Sequence, residues 1–444
     1  MEDQQNLDST CLGVAIDHRL RKLFKPVGQR TNIEMRTRER SHVQHIYEMG
    51  LDHGLQHRPV SSKELEVTSQ LSMPEARGGI AIALLQPAQS HPYDSGIEQV
   101  ISGCPTLCAL AEVFYTVSRH TVIQLDEVTV IDSMPYTEPE DRLSGLERQN
   151  KRNDFYRAIK KKRPDVLLCM WKKRRDMPSL ADGTQSLGVG RSFKDPKLPL
   201  SSTFLTYRLN AFHPSYAVNY NPQFACFRQL LILEIARACG IQRGEWREAE
   251  WMGELRRRCR IKAQSLSNRS NLGMNMLASD FENALQMIER FVRESMQTAF
   301  QDNQAALYET FIDNIISERC SDASLCLAYV HNTIASVHPD DITEEDDQGM
   351  ETILKATIKT QRRLGQLFKN GCPHYLVPFN NFAKDIRNSL TFSNNPKHKI
   401  TVEWTPGTLC SLLLRLSEDI EAQLSVWHLS DLDVDQLAQR LSAI

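Results

Sequence analysis

The sequence predicts an α/β fold, a mostly parallel sheet flanked by helices, followed by an all-α C-terminal domain. Two observations predict it. Between residues 80 and 212, four short apolar runs alternate with loops and helix-like segments. Continuous apolar runs of this length suit strands buried on both faces, and their alternation with helices suits parallel pairing. From about residue 263 the apolar spacing changes to the 3.6-residue period of amphipathic helices. The predicted division is a polar N-terminal extension (1–75), an α/β domain (76–262) and a helical C-terminal domain (263–444).

Residues 1–75 are polar and charge-dense, with a helix-like stretch at 36–49, and read as a partly disordered extension with one or two helices. Ile80–Leu85 (IAIALL) is the first predicted strand, followed by a turn-rich loop, and Pro105 opens a helix. Val128–Ile131 is the second strand, Asn153–Arg163 a basic helix, and Asp165–Trp171 the third strand. Residues 172–202 read as a long polar loop and Leu205–Phe212 as the fourth strand. Phe224–Cys239 is a strongly apolar helix with Gly240 at the position expected of a C-terminal cap. Ligands of such sheets sit outside the carboxyl ends of the strands, so the candidate site loops are 86–96, 132–137, 172–176 and 213–221. Further on, Phe281, Leu285, Ile288, Val292, Met296 and Phe300 form one helical stripe, and Leu409, Leu412, Leu413, Leu416, Ile420 and Leu424 another. Thr405-Pro406 and Ser430 with Asp433 have the chemistry of helix starts, and 398–404 that of an isolated strand.

The 444 residues include 53 basic and 55 acidic side chains, a formal charge of −2. That near-neutral total conceals two opposed halves. Residues 263–444 carry 15 basic and 24 acidic groups, leaving a surplus of 7 positive charges on the rest. A polyanion partner therefore suits the α/β half and is disfavoured by the helical half, with its acidic run at 340–347. Within 151–175, 11 Lys or Arg face 2 Asp, in two tetrads, Lys160–Arg163 and Lys172–Arg175. The second follows a strand on the predicted site side, where it would grip phosphates. Either tetrad would serve as a nuclear-import signal or simply be a solvated charge run. The 11 cysteines, odd in number and with no secretory apolar segment before them, read as reduced thiols of a soluble nuclear or cytoplasmic protein, not a secreted one. No apolar run reaches the length of a membrane span.

The sharpest local feature is His213-Pro214-Ser215 at the end of the fourth strand, followed by Tyr216, Val218, Asn219 and Tyr220. A histidine held there by proline has a fixed direction and suits stabilisation of a leaving anion beside projecting apolar groups. The alternative is a strand-end histidine satisfied by backbone. His42, His45, His53 and His57 are spaced like metal ligands, as are Cys104 and Cys108, but neither set offers the four convergent ligands of structural zinc. No metal or cofactor is expected.

Residues 80–240 resemble the uracil-DNA glycosylase superfamily in the order of their segments: 84–93, Pro105-Thr106-Leu107, 128–136, 158–171 and 212–231. The resemblance implies a sheet of that type and hydrolysis of the N-glycosidic bond of a deaminated or damaged base in single- or double-stranded DNA. It makes His213, Asp132 and Asp94 the catalytic candidates: His213 facing the departing base, Asp94 or Asp132 orienting water. Tyr216 and Val218 would penetrate the duplex, and Ser215, Asn219, Lys172, Lys173, Arg174 and Arg175 would contact phosphates. Gln86, Tyr93 and Tyr136 would line the base pocket. The sequence departs from the family pattern in two ways. Leu85-Gln86-Pro87 lacks the acid that orients water in the best-known branch, and Asp132 stands where an amide usually reads the base. The alternative is thus a non-catalytic nucleic-acid- or protein-binding module that keeps the fold, with the helical domain as a further protein-binding face.

Overall fold

A computed structural model of the chain describes residues 16–27, 40–88, 91–136, 145–170, 197–201, 204–222, 224–267, 274–297 and 344–389, with isolated helical positions near 308–316 and 412–423. The chain forms two compact units, one of residues 22–221 and 227–268, the other of 1–21, 222–226 and 269–444.

The first unit opens with α1 (His42–Gln56) and α2 (Ser62–Leu71), each started by a serine. Ser41 Oγ accepts the Gln44 N–H at 3.0 Å and Ser61 Oγ the Glu64 N–H at 3.1 Å, satisfying donors that a helix start leaves over. The sheet contains β1 (Ile80–Leu84), β2 (Thr129–Asp132), β3 (Val166–Met170), β4 (Lys197–Ser201) and β5 (Phe204–Ala211), in the order β2-β1-β3-β5-β4. The first four strands in that order are parallel, and β4 pairs antiparallel with β5. Helices α3 (Ile97–Gly103) and α4 (Pro105–Val117) connect β1 to β2, and α5 (Gly145–Lys162) leads into β3. After β5 come α6 (Ala225–Gln242) and α7 (Glu250–Ser267). Every residue of β1 and β3 is buried. One face of the sheet supplies Ala81, Ala83, Ile131, Leu167 and Cys169 to a core shared with Ile46 of α1, Leu65 of α2, and Phe155 and Ile159 of α5. Alternation turns Ile80, Ile82 and Leu84 to the other face.

The α/β unit thus includes α1 and α2, part of the segment expected to be an extension. Three expectations are corrected. Residues 197–201, placed within a polar loop, form an edge strand; the short Lys-Leu-Pro-Leu-Ser run hides it, since proline is tolerated only at such an edge. Gly240 does not end α6, which continues to Gln242. A Cβ there would come 2.8 Å from Trp246 Cε3, so its role is close packing, and the chain turns at Gly244 with φ +73°. The tetrad at 160–163 is not a free charge run. Lys162 is 1% exposed and its Nζ donates to the carbonyls of Pro74 (2.9 Å) and Ala76 (2.7 Å). The second tetrad, 172–175, lies outside the described residues.

Helix α6 is buried along almost its whole length, charges included. Glu234 accepts Arg256 Nε of α7 at 2.7 Å and lies 3.5 Å from Arg237, and Arg256 also pairs with Glu248. Removing one partner of such a network strands a buried charge, so it specifies how α6 meets α7.

In the second unit the described residues beyond 273 form three long helices, α8 (Met274–Gln297), α9 (Glu344–Leu367) and α10 (Val377–Ser389), with a turn at 368–373 between the last two. The stripe Phe281, Leu285, Ile288 and Val292 is buried with Ile353, Leu364, Phe379, Phe382 and Ile386, joined by Leu412, Leu416 and Ile420 of the second stripe. Phe300, Leu409, Leu413, Leu424, the 398–404 run and both late helix starts lie outside the described residues. No single described helix is long and apolar enough to cross a membrane.

Two glycines of α1 test this packing. A Cβ on Gly50 would collide with Leu65 and lie 2.5 Å from Tyr136 Cζ, whereas one on Gly54 meets nothing nearer than 3.6 Å. Gly50→Ala should destabilise by about 1–3 kcal/mol through overpacking, and Gly54→Ala should stabilise by up to about 1 kcal/mol through helix propensity. Urea denaturation of the two variants checks this; equal shifts would contradict the close approach of α1 to Tyr136.

Candidate functional site

A cavity of about 320 Å³ opens at the carboxyl ends of the parallel strands. Its walls come from Ile46 of α1, Thr68 and Leu71 of α2, and four loops. The chain after β1 contributes Gln86, Pro87, Ala88, His91 and Tyr93; the start of α4 contributes Cys104, Pro105 and Thr106; the end of β2 contributes Asp132; and the turn after β5 contributes His213, Ser215, Asn219 and Tyr220. The strand order places this opening beside β1, where one connection leads to β2 and later ones to the opposite side. The β1–β2 pairing continues past the strands, with Ser133 N–H on Leu84 O (2.8 Å) and Met134 N–H on Leu85 O (2.9 Å), so the two loops leave together.

His213 follows buried Phe212, and Pro214 starts a tight turn in which Tyr216 N–H returns to His213 O at 2.9 Å. Ser215 N–H donates to His213 Nδ1 at 3.3 Å and Ser215 Oγ lies 2.6 Å from the same nitrogen. This hydrogen-bond pattern assigns Nδ1 as acceptor and leaves the proton on Nε2. Burial lowers the His213 pKa to about 4, so the ring is neutral at pH 7 and offers a neutral N–H donor.

Asp132 ends β2, paired in register with Leu84 of β1. Its Oδ1 is buried without a hydrogen-bond partner, and burial raises its pKa to about 7. A carboxyl group that keeps its proton both donates and accepts, recovering the bonding range of an amide. Burial also pushes the Tyr93 phenol and the Cys104 thiol upward and pulls His91 down.

Of the residues singled out from sequence, Gln86, Tyr93, Asp132, His213, Ser215 and Asn219 meet in this cavity. Asp94 does not; it is exposed in the turn at Tyr93–Ser95, because Pro92 and the turn direct Tyr93 inward and its neighbour outward. Tyr136 is also outside, buried in the core among Ile46, Leu65 and Ile131. Tyr216 packs edge-on against Phe227 and Phe212 (ring centroids 5.1 and 6.3 Å apart), so it belongs to the packing under the turn; Val218 is half-buried and outside the cavity wall. The aromatic that projects is Tyr220, 74% exposed at the rim. Lys172, Lys173, Arg174 and Arg175 lie outside the described residues.

Sequence reasoning missed His91 and Cys104 as residues of this cavity, whereas Tyr220 was named among the projecting groups after His213. For His91 a signal existed: His91-Pro92 and His213-Pro214 are the same dipeptide in two strand-end loops. The four histidines spaced like ligands have separate partners: His42 Nε2 meets Ser72 O at 2.8 Å, His45 Nε2 meets Asp154 O at 3.1 Å, and His53 lies against His57 with Lys151 at 3.3 Å. Among the described residues no group of three His, Cys, Asp or Glu side chains is arranged to hold a metal.

Compared with protein-family models, characterised proteins and solved structures, the chain matches none.

The Asp132 environment makes a stability prediction. The native carboxyl holds its proton to about pH 7, whereas an unfolded aspartate ionises near its model value of 3.8. Between those values the native state binds the extra proton, so stability contributed by this group falls as pH rises and the cost is fully present above pH 7. Asp132→Asn should therefore raise Tm at pH 8 by about 2–4 °C or more, equivalent to about 1 kcal/mol or more, and change it little at pH 3. Thermal melts at the two pH values check this; an equal gain at both would contradict the buried-carboxyl account.

Proposed function

We propose that the α/β unit is a divergent glycosylase of the uracil-DNA glycosylase type, hydrolysing the N-glycosidic bond of a deaminated or damaged base in DNA. One observation carries the reading. Residues from three loops far apart in sequence, Gln86 and Tyr93, Asp132, and His213 with Ser215 and Asn219, line a single cavity at the carboxyl ends of the strands. A base inside a duplex stack is out of reach, so the substrate base would be turned out into this cavity. Tyr220 at the rim is the apolar group available to fill the gap, at a few kcal/mol of unstacking.

Within the cavity, Asp132 meets the edge of the base with one donor and one acceptor. As the glycosidic bond breaks, its electron pair moves onto the base, and the Nε2–H of neutral His213 donates a hydrogen bond to the anion. A neutral donor suits this step because it stabilises developing charge without having attracted an anion beforehand. The helical unit has no role in this reading.

The test uses single- and double-stranded oligonucleotides bearing uracil or other deaminated bases, with alkali cleavage of abasic sites. Scission by the full chain is expected, and His213→Ala should slow it by about 10²–10³-fold, the usual consequence of removing a preorganised donor. No scission at protein excess, or scission unchanged in His213→Ala, overturns the reading. DNA retention that is salt-sensitive but unaccompanied by scission would favour the binding module instead.

A further inference from the structure

The cavity holds five titratable side chains besides the rim tyrosine: His91, Tyr93, Cys104, Asp132 and His213. The reading above needs an acceptor for the proton of the attacking water, and four of the five are poorly suited. Burial keeps the Tyr93 phenol and the Cys104 thiol protonated. Asp132, whose buried Oδ1 has no hydrogen-bond partner, is occupied in that reading by the edge of the base. His213 has Nδ1 taken up by Ser215 and its proton on Nε2. Asp94, the acid nearest in sequence to this loop, is turned out to solvent.

His91 is the titratable group of this cavity to which that reading gives no task. No described residue hydrogen-bonds its ring, and burial keeps the ring neutral at pH 7, so one imidazole nitrogen has an available lone pair. Its direction is nonetheless constrained. The ring meets Tyr93 edge-on with centroids 5.6 Å apart, its carbonyl accepts Tyr93 N–H at 2.9 Å, and Pro92 follows it directly. An oriented imidazole with a free acceptor, in one cavity with a second imidazole already committed as a donor, is the pairing that acid–base chemistry requires.

We propose that His91 is a second catalytic residue of this cavity, the base that orients the attacking water and takes its proton. The inference rests on the glycosylase reading. The water oxygen bonds to C1′ as the C1′–N bond breaks, the electron pair of that bond leaves with the base, and the water proton passes to His91. The imidazolium then returns the proton to the released base or to solvent, which balances the hydrolysis without another reactant.

The experiment compares wild type, His91→Ala, His91→Gln and His213→Ala in single-turnover cleavage of the oligonucleotides the wild type cuts. Binding is measured in parallel with an uncleavable oligonucleotide carrying a 2′-fluoro nucleotide. His91→Ala and His91→Gln should each slow cleavage by about 10²–10⁴-fold while changing binding by less than about threefold. Added imidazole should restore part of the rate to His91→Ala, where it has space, and none to His91→Gln. Cleavage by both His91 variants near the wild-type rate, or a loss matched by lost binding, overturns the role of His91 and leaves the glycosylase reading standing if His213→Ala is still slow. A wild type that cuts none of the oligonucleotides overturns both.

Discussion

Everything in the α/β unit depends on β1 being paired on both edges. It is parallel to β2 on one side and to β3 on the other, with all five residues buried. Parallel pairing on both sides means that the chain leaves β1, β2 and β3 in one direction, and β5, parallel to β3, leaves the same way. Four strand ends are thus delivered to one edge of the sheet. The apolar runs that make the strands are buried on both faces, so polar groups that close them stand against the core.

Burial tunes the polar groups placed there. Burial is the first cause of the shift at Asp132, His213, His91, Tyr93 and Cys104 alike. For each the effect is to favour the uncharged form, so a cavity of ionisable residues is electrically quiet below about pH 7. A neutral cavity rich in donors and acceptors suits a neutral, edge-bonding guest such as a nucleobase better than a phosphate. In the proposed reading phosphate contacts fall to the rim, where Asn219 and Tyr220 are exposed.

The opposite end of the sheet is organised by Lys162. Its ammonium, held by the carbonyls of Pro74 and Ala76, ties the end of α5 to the segment entering β1. Burial lowers its pKa to about 8, and the nearby His42 is held neutral with a pKa of about 3, first by burial and then by that same charge. Two residues that look in sequence like a charge run and a metal ligand are therefore joined in one structural contact region. Composition reports how many charges a segment carries; it does not report which of them find carbonyl partners.

By itself the sequence determined the four parallel strands, the buried helix after the last of them, and the stripe of α8, because each is a local periodicity that burial must honour. It also determined that His213, Asp132 and the loop after β1 lie at strand ends, since a polar residue closing an apolar run has nowhere else to go. Tertiary structure decided which of these residues share a cavity. Asp94 and Tyr93 are adjacent in sequence, yet a single turn sends one outward and the other in. Tyr136 reads as a loop residue until α1 packs over it, and Tyr216 reads as a projecting aromatic until α6 places Phe227 against it. Gly240 reads as a helix stop until Trp246 folds back onto it. In each case the local pattern permits either side-chain direction, and the choice is made by a neighbour distant along the chain, whose packing no local period encodes.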